Sequence, residues 1–176
     1  IIENYAQLKR SLIDRGYKFS SETDTEVLVH LIEELYKQGL ESAEEAVRLA
    51  LEQVQGAFGL VVMSKSDPNM LIAARRSSPI VIGIGSGEYF IASDATPIVP
   101  YTKNVIYLDD NDLAIIKKNE VTLRTIQNND VRTPQVQTLD LELSAIEKGG
   151  YPHFMLKEIF EQPVSIRDCM RGRVKQ

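Results

Sequence analysis

Residues 56–64 read Gly-Ala-Phe-Gly-Leu-Val-Val-Met-Ser, and this stretch marks a change of period along the chain. Before it, apolar residues recur at helical spacing, and from it onward they form the short runs typical of β-strands. A second β-rich run, Met70–Arg76, follows the turn signal Asp67-Pro68-Asn69. Strands joined by such short turns pair antiparallel, because parallel neighbours need a longer crossover. The chain is therefore predicted to be an α+β protein, with helices first and an antiparallel meander after them.

Three helices are predicted before residue 56, each with a polar cap at its start and a glycine near its end. The cap and the glycine of each helix are, in chain order, Asn4 and Gly16, Thr23 and Gly39, and Ser42 and Gly56. The start of the second predicted helix fits a capping box, because Thr23 and Glu26 are three residues apart.

Seven strands are predicted after the helices: Ala57–Ser64, Met70–Arg76, Ile80–Ile84, Tyr89–Ala92, Val105–Leu108, Asp112–Lys117 and Val121–Ile126. The polar stretch Asn128–Gln137 is predicted to be a connector, and Thr138–Ile146 is ambiguous. A last helix is expected from about Pro152 to Arg171, with a kink or a break at Pro163.

Composition excludes several classes of protein. The 176 residues are 43% hydrophobic and carry a formal net charge of −5, which argues against a nucleic-acid binder that neutralises phosphates. The longest apolar runs fall far short of the roughly 20 residues of a membrane span. The chain has one cysteine, Cys169, so no intrachain disulfide is possible. A reducing compartment, the cytoplasm, is therefore expected.

Two patterns suggest a ligand site but favour ordinary structure. Gly83-Ile84-Gly85-Ser86-Gly87 lacks the third glycine and the following helix of a nucleotide loop, so a β-hairpin turn is predicted. His30 and His153 lie far apart and outside any ligand-spaced cluster, so no metal site is expected. His30 is predicted to be a partly buried, hydrogen-bonded core histidine. Cys169 is predicted to be a passive thiol, because no histidine base lies nearby.

Asp24 has two possible roles. It lies at the start of the second helix, where acidic side chains complement the positive end of the helix dipole. A carboxylate in that position is also placed to bind the ammonium group of a ligand. Spacing alone favours the capping role but leaves both open.

Seven segments, in this order, resemble a known family. They are Ile1-Ile2-Glu3-Asn4, Arg15-Gly16-Tyr17, Ser21-Glu22-Thr23-Asp24-Thr25-Glu26, Gly56-Ala57-Phe58-Gly59, Phe90-Ile91-Ala92-Ser93-Asp94, Lys157-Glu158-Ile159-Phe160-Glu161-Gln162-Pro163 and Arg171-Gly172-Arg173. They are similar to the glutaminase domain of the glutamine:fructose-6-phosphate amidotransferases. The segment Lys157–Pro163 is the most discriminating, because other class II amidotransferases resemble the family only in the earlier segments.

The resemblance implies a four-layer αββα N-terminal-nucleophile hydrolase fold, incomplete at its N-terminus. It also implies hydrolysis of L-glutamine, whose ammonia converts fructose 6-phosphate to glucosamine 6-phosphate, without a cofactor. Asp24 matches the aspartate that binds the α-ammonium of glutamine. The family's nucleophilic cysteine, carboxylate-binding arginine and oxyanion Asn-Gly pair all precede the position of Ile1, so no catalytic residue is expected in this chain. Cys169 does not match the nucleophile, and the chain alone is expected to be inactive.

The resemblance also implies an organisation. Residues 1–150 would be part of the glutaminase domain, and residues 151–176 a helix and the start of a linker toward a sugar-isomerase domain. A homo-oligomer is expected. Two alternatives stay open: a non-catalytic binding or regulatory module of the same fold, or part of another glutamine-dependent transferase, such as an amidophosphoribosyltransferase or asparagine synthetase. The segment Lys157–Pro163 argues against the other transferases.

Overall fold

The structure, a computed structural model, describes residues 1–40, 42–140 and 148–170. The chain divides into two compact units, Ile1–Leu139 and Asp140–Gln176. The functional division between residues 150 and 151 stays a prediction.

Helices come first in the larger unit, as the apolar spacing predicts. They are α1 (Tyr5–Asp14), α2 (Asp24–Lys37) and α3 (Ala43–Gln53). Gly16 and Gly39 have φ angles of +90° and +97°, a left-handed conformation that ends a helix readily when the residue has no Cβ. The predicted ends of the first two helices are therefore confirmed.

Within the described residues, nine strands follow: β1 (Phe58–Met63), β2 (Met70–Arg76), β3 (Val81–Ile84), β4 (Tyr89–Ala92), β5 (Asn104–Tyr107), β6 (Asp112–Lys117), β7 (Glu120–Thr125), β8 (Val131–Arg132) and β9 (Gln137–Thr138). They form a five-stranded sheet in the order β1-β2-β6-β7-β8 and a four-stranded sheet in the order β4-β3-β5-β9. Every pairing between these strands is antiparallel, so the predicted antiparallel pairing is confirmed. The predicted single meander is wrong, because β2 pairs with β6 instead of β3, and β3, β4 and β5 belong to the second sheet.

The two sheets stack face to face, and the alternation of side chains along each strand builds the layers. In β2, Ile72 and Ala74 pack against the three helices, whereas Ala73 packs against the smaller sheet. The outer face of the smaller sheet is covered by helical turns between Ala95 and Thr102, through a cluster that includes Ile98. The order of layers is therefore helices, sheet, sheet and helical turns.

Gly83 in β3 sets the spacing of the last two layers. A Cβ at this position would collide with Ile98 Cγ2 and lie 3.0 Å from Thr102 Cγ2. Thr102 is further fixed because its hydroxyl donates to Ile84 O at 2.6 Å. The helical turns therefore pack on the backbone of β3, where a side chain would push them away.

Two local expectations are corrected by the structure, and a third stretch is described only in part. Asn4 occupies the N-cap position of α1, but its side chain makes no capping hydrogen bond. The stretch Asn128–Gln137 is more than a connector, because it contains β8 and the first residue of β9, and these pair with β7 and β5. The ambiguous stretch Thr138–Ile146 begins with the last residue of β9, and its residues 141–146 lie outside the described residues.

The smaller unit contains α4 (Phe154–Met170), which continues through Pro163 without a break. The predicted segment Lys157–Pro163 lies within this helix, whereas Arg171 and the segment Arg171–Arg173 lie outside the described residues. Across the described ranges, no helix combines the length and hydrophobicity needed to cross a bilayer.

Candidate functional site

Asp24 is the first residue of α2 and is partly buried. Its Oδ2 accepts a hydrogen bond from the backbone N–H of Ile2 at 2.8 Å. Within the described residues, Oδ1 receives no hydrogen bond. One carboxylate oxygen is thus fixed by the chain, and the other makes no bond within the described residues.

The loop in front of Asp24 is held by Glu26. The Glu26 carboxylate accepts from the backbone N–H groups of Ser20 and Ser21, each at 2.7 Å, and from both hydroxyls. These donors hold the pKa of Glu26 at about 2, chiefly through the Ser20 N–H and then the Ser21 hydroxyl. A carboxylate with this many donors fixes the path of residues 20–23, and hence the position where Asp24 enters the helix.

The predicted capping box is confirmed in one of its two halves. Thr23 Oγ1 accepts from the Glu26 N–H at 3.3 Å, as a capping threonine should. In the other half, the Glu26 side chain binds Ser20 and Ser21 instead of the Thr23 N–H. The Thr23 N–H is satisfied locally, by Ser21 Oγ at 3.3 Å. Glu26 is therefore free to hold residues further from the helix than a capping box does.

Ile2 is placed by pairing with a distant segment. It forms an antiparallel bridge with Gly56, and the next residue, Glu3, donates its backbone N–H to Gln55 O at 2.9 Å. Along an extended segment, successive N–H groups point to opposite sides. The Glu3 N–H therefore faces residue 55, while the Ile2 N–H faces Asp24.

His30 lies one turn from Glu26 and differs from its prediction. The ring is partly buried, as expected, between Tyr17 and Phe19, with ring centroids 5.1 Å and 4.7 Å away. Neither ring nitrogen has a hydrogen-bond partner in the described part of the chain, so the expectation of a hydrogen-bonded histidine is wrong. The nearest carboxylate oxygens, on Glu26 and Glu33, lie at 3.6 Å and 3.8 Å. Aromatic packing, which local sequence does not reveal, holds this side chain.

The other candidates take ordinary roles. Gly85 N–H donates to Glu88 O at 2.9 Å, so residues 83–87 form the predicted hairpin between β3 and β4. His153 Nδ1 accepts from the Leu156 N–H at 3.3 Å at the start of α4. Cys169 is a free, exposed thiol on the same helix. Among the described residues, no three metal-binding side chains cluster.

Sequence reasoning missed the groups that hold Asp24. It assigned no role to the Ile2 backbone, and it gave Glu26 only a cap. The capping-box spacing was a partial signal, because it indicates that the Glu26 side chain reaches back to a backbone N–H before the helix, although it points to Thr23 and not to Ser20 and Ser21. The contact from Ile2 to Asp24 had no local signal, since it joins residues 22 apart.

Comparison with known proteins identifies the family context. The family described as "Glutamine amidotransferase domain" matches residues 1–100. The chain is 52% identical, over 99% of its length, to the protein named glutamine–fructose-6-phosphate aminotransferase (isomerizing) of Chlorobaculum tepidum. It is 53% identical, again over 99% of its length, to the protein of the same name from Bacteroides thetaiotaomicron. It spans 28% of the length of each of these relatives.

Solved structures show the same fold. The chain resembles the glutamine phosphoribosylpyrophosphate amidotransferase of B. subtilis with a TM-score of 0.62 and 25% identity, over 73% of this chain and 28% of that one. A structure titled as the allosteric regulatory enzyme of purine biosynthesis matches with a TM-score of 0.61 and 26% identity, over 73% of this chain and 27% of that one. The predicted resemblance and the predicted N-terminal-nucleophile fold class are confirmed.

Proposed function

This chain belongs to the glutamine amidotransferase domain family, and from that membership we propose that it forms part of a glutaminase site in which Asp24 binds the α-ammonium group of L-glutamine. The observation that carries the proposal is the carboxylate of Asp24, which has one oxygen fixed by the Ile2 N–H and the other without a partner among the described residues. An ammonium group has three N–H donors and suits such an oxygen.

The scaffold around Asp24 supports this role. A ligand carboxylate must hold its position before the ligand arrives, because ordering it on binding costs free energy. Here the backbone of Ile2 holds the carboxylate itself, while Glu26 holds the loop that leads to it. Asp24 is therefore preorganised by two independent sets of hydrogen bonds.

The whole protein would use this site to supply ammonia for converting fructose 6-phosphate to glucosamine 6-phosphate. Support comes from relatives of 52% and 53% identity that bear the name glutamine–fructose-6-phosphate aminotransferase. In that protein the partner of this domain would be a sugar-isomerase domain of the same chain, and residues 151–176 would lead toward it. The assembly would be a cytoplasmic homo-oligomer.

The chain by itself would lack turnover. None of the segments that carry the resemblance matches the family's nucleophilic cysteine, arginine or Asn-Gly pair, and Cys169 lies on α4 in the smaller unit. We therefore expect no release of glutamate from L-glutamine by the isolated chain. Turnover above that of a heat-inactivated sample would contradict this proposal.

The alternatives differ in what they expect of Asp24. A non-catalytic module of the same fold would need Asp24 only as a helix-start residue. Another glutamine-dependent transferase would keep Asp24 but act on a different acceptor. The higher identity to the aminotransferases, 52% against 25% for the phosphoribosylpyrophosphate enzyme, favours the sugar acceptor.

Replacement of Asp24 by asparagine tests the proposal. The experiment uses a protein of the relatives' full length that includes this chain. Asparagine keeps an oxygen to accept from the Ile2 N–H but removes the negative charge. We expect the KM for L-glutamine to rise on the order of 30-fold or more, because one partner of a charge-assisted pair is lost. Glutamate release measured against glutamine concentration gives the value.

Asp14→Asn is the matched control. It makes the same chemical change at an exposed position. Asp14 is the last residue of α1, roughly 13 Å along the helix axis from Tyr5, the first residue of α1. The KM should stay at the wild-type value there. An unchanged KM in Asp24→Asn would remove Asp24 from the glutamine site.

A further inference from the structure

The hydrogen bonds of the Asn4 side chain differ from those expected of its N-cap position before α1. Asparagine is among the preferred N-cap residues, because its side-chain oxygen accepts from an N–H in the first turn. Asn4 stands at the N-cap but makes no such bond. Instead, Nδ2 donates to Gln53 O at 2.8 Å, and Oδ1 accepts from the Gln55 N–H at 3.0 Å. The side chain therefore joins the start of α1 to the end of α3.

These two bonds belong to a longer contact between residues 1–4 and residues 53–57. The Glu3 N–H donates to Gln55 O, and the backbone nitrogen of Ile1 donates to Ala57 O at 2.7 Å. Gly56 lies between these partners with φ of +108°, and a Cβ there would overlap Ile1 O. The close approach requires glycine, and Asn4 fixes one end of it with side-chain bonds.

The opposite side of this segment holds Asp24. The Ile2 N–H, which donates to Asp24 Oδ2, lies two residues from Asn4 in the segment that Asn4 holds against residues 53–55. A shift of the segment would move this N–H, and with it the carboxylate.

We infer that Asn4 is a positioning residue of the glutamine site: by bridging Gln53 O and the Gln55 N–H, it fixes the Ile2 N–H that orients the Asp24 carboxylate. The inference rests on the proposed role of Asp24. It adds that the affinity for glutamine depends on a side chain that does not touch the carboxylate itself. Displacements of about 1 Å in a binding geometry can change rates by up to 10²-fold, so a measurable effect is expected.

Asn4→Ser separates positioning from stability. Serine is as good an N-cap as asparagine, so α1 keeps a capping residue. Its shorter side chain cannot bridge Gln53 O and the Gln55 N–H together. In the longer protein that carries this part, we expect the KM for L-glutamine to rise by roughly 10-fold, the effect of about one lost hydrogen bond. The midpoint of thermal unfolding should stay close to that of the wild type.

The matched control is Asn104→Ala. Asn104 lies in β5 of the other sheet, where its Oδ1 accepts from the Thr138 hydroxyl at 3.1 Å in an exposed position. Asn104→Ala removes this asparagine hydrogen bond at a position 80 residues along the chain from Asp24. The KM for L-glutamine should therefore not change. If Asn4→Ser and Asn104→Ala both leave the KM unchanged, Asn4 is a structural residue only and the inference is overturned.

A double-mutant cycle with Asp24→Asn decides whether Asn4 acts through Asp24. Residues that act through one contact are non-additive, so Asn4→Ser should raise the KM little further once Asp24 is asparagine. A full additional rise in the double variant would overturn positioning through Asp24. If Asp24→Asn alone leaves the KM unchanged, the proposed function fails. If Asp24→Asn raises the KM while Asn4→Ser does not, only the present inference fails.

Discussion

Glu26 Oε2 accepts the backbone N–H of Ser21 at 2.7 Å, so a side chain within α2 holds the loop that precedes the same helix. The neighbouring oxygen, Oε1, does the same for Ser20. Asp24 is the first residue of the helix and directly follows this loop. The geometry of the candidate site therefore depends on the ionised form of Glu26.

Glu26→Gln should lower the free energy of unfolding at neutral pH, because a neutral amide is a weaker acceptor than the carboxylate. The folded pKa of Glu26 is about 2, below its ordinary value of 4.5. A lowered folded pKa means that the carboxylate stabilises the fold above pH 4.5 and that this contribution is lost as the pH falls from 4.5 toward 2. The difference between wild type and variant should shrink over that range, as measured by urea unfolding at several pH values.

Glu22→Gln is the control for this titration. Glu22 is exposed, lies in the same loop, and makes no hydrogen bond within the described residues through its side chain. Its replacement should change the free energy of unfolding little, because no side-chain hydrogen bond is lost. A constant difference between wild type and Glu26→Gln from pH 7 to pH 2.5 would contradict the role assigned to Glu26.

Gly83→Ala should destabilise the packing of the helical turns on the smaller sheet. The added Cβ would collide with Ile98 and press on Thr102. Overpacking of this kind costs about 1–3 kcal/mol of the free energy of unfolding. Gly59→Ala in β1 is the matched control, because its Cβ would come no closer than 3.3 Å, to Ser78 Cβ. Chemical denaturation should show a clearly larger loss for Gly83→Ala, and equal losses would refute the close approach.

Arg76→Lys should weaken the end of α3. The Arg76 guanidinium donates to Val54 O at 2.6 Å and to Asn111 Oδ1 at 2.8 Å, and it lies 4.9 Å from the ring centroid of Phe58. Lysine has a single ammonium group and cannot satisfy these partners from one position. We expect a loss of about 1–3 kcal/mol, because a carbonyl at a helix end is left unpaired.

Thermal and urea unfolding measure the loss in Arg76→Lys. Arg10→Lys on the exposed surface of α1 provides the comparison, since it makes the same exchange away from any helix end. A loss in Arg76→Lys no greater than in Arg10→Lys would show that this guanidinium does not support α3.

Local signals in the sequence determined the helix starts at Thr23 and Ser42 and the full extents of β2 and β6. Each of these depends on residues a few positions apart: a cap and its first turn, or an apolar run bounded by turn residues. Family resemblance identified Asp24, which spacing alone could not separate from a helix-start residue.

Tertiary structure decided what surrounds Asp24. Asn4 at the N-cap predicts a capping bond, yet its side chain binds Gln53 and Gln55, about 50 residues away. His30 packs between Tyr17 and Phe19 where a hydrogen bond was expected, and the Ile2 N–H donates to Asp24, 22 residues away. Such contacts depend on which segments the folded chain brings together. A local pattern states what a side chain is able to do, and only the packed structure selects which partner it meets.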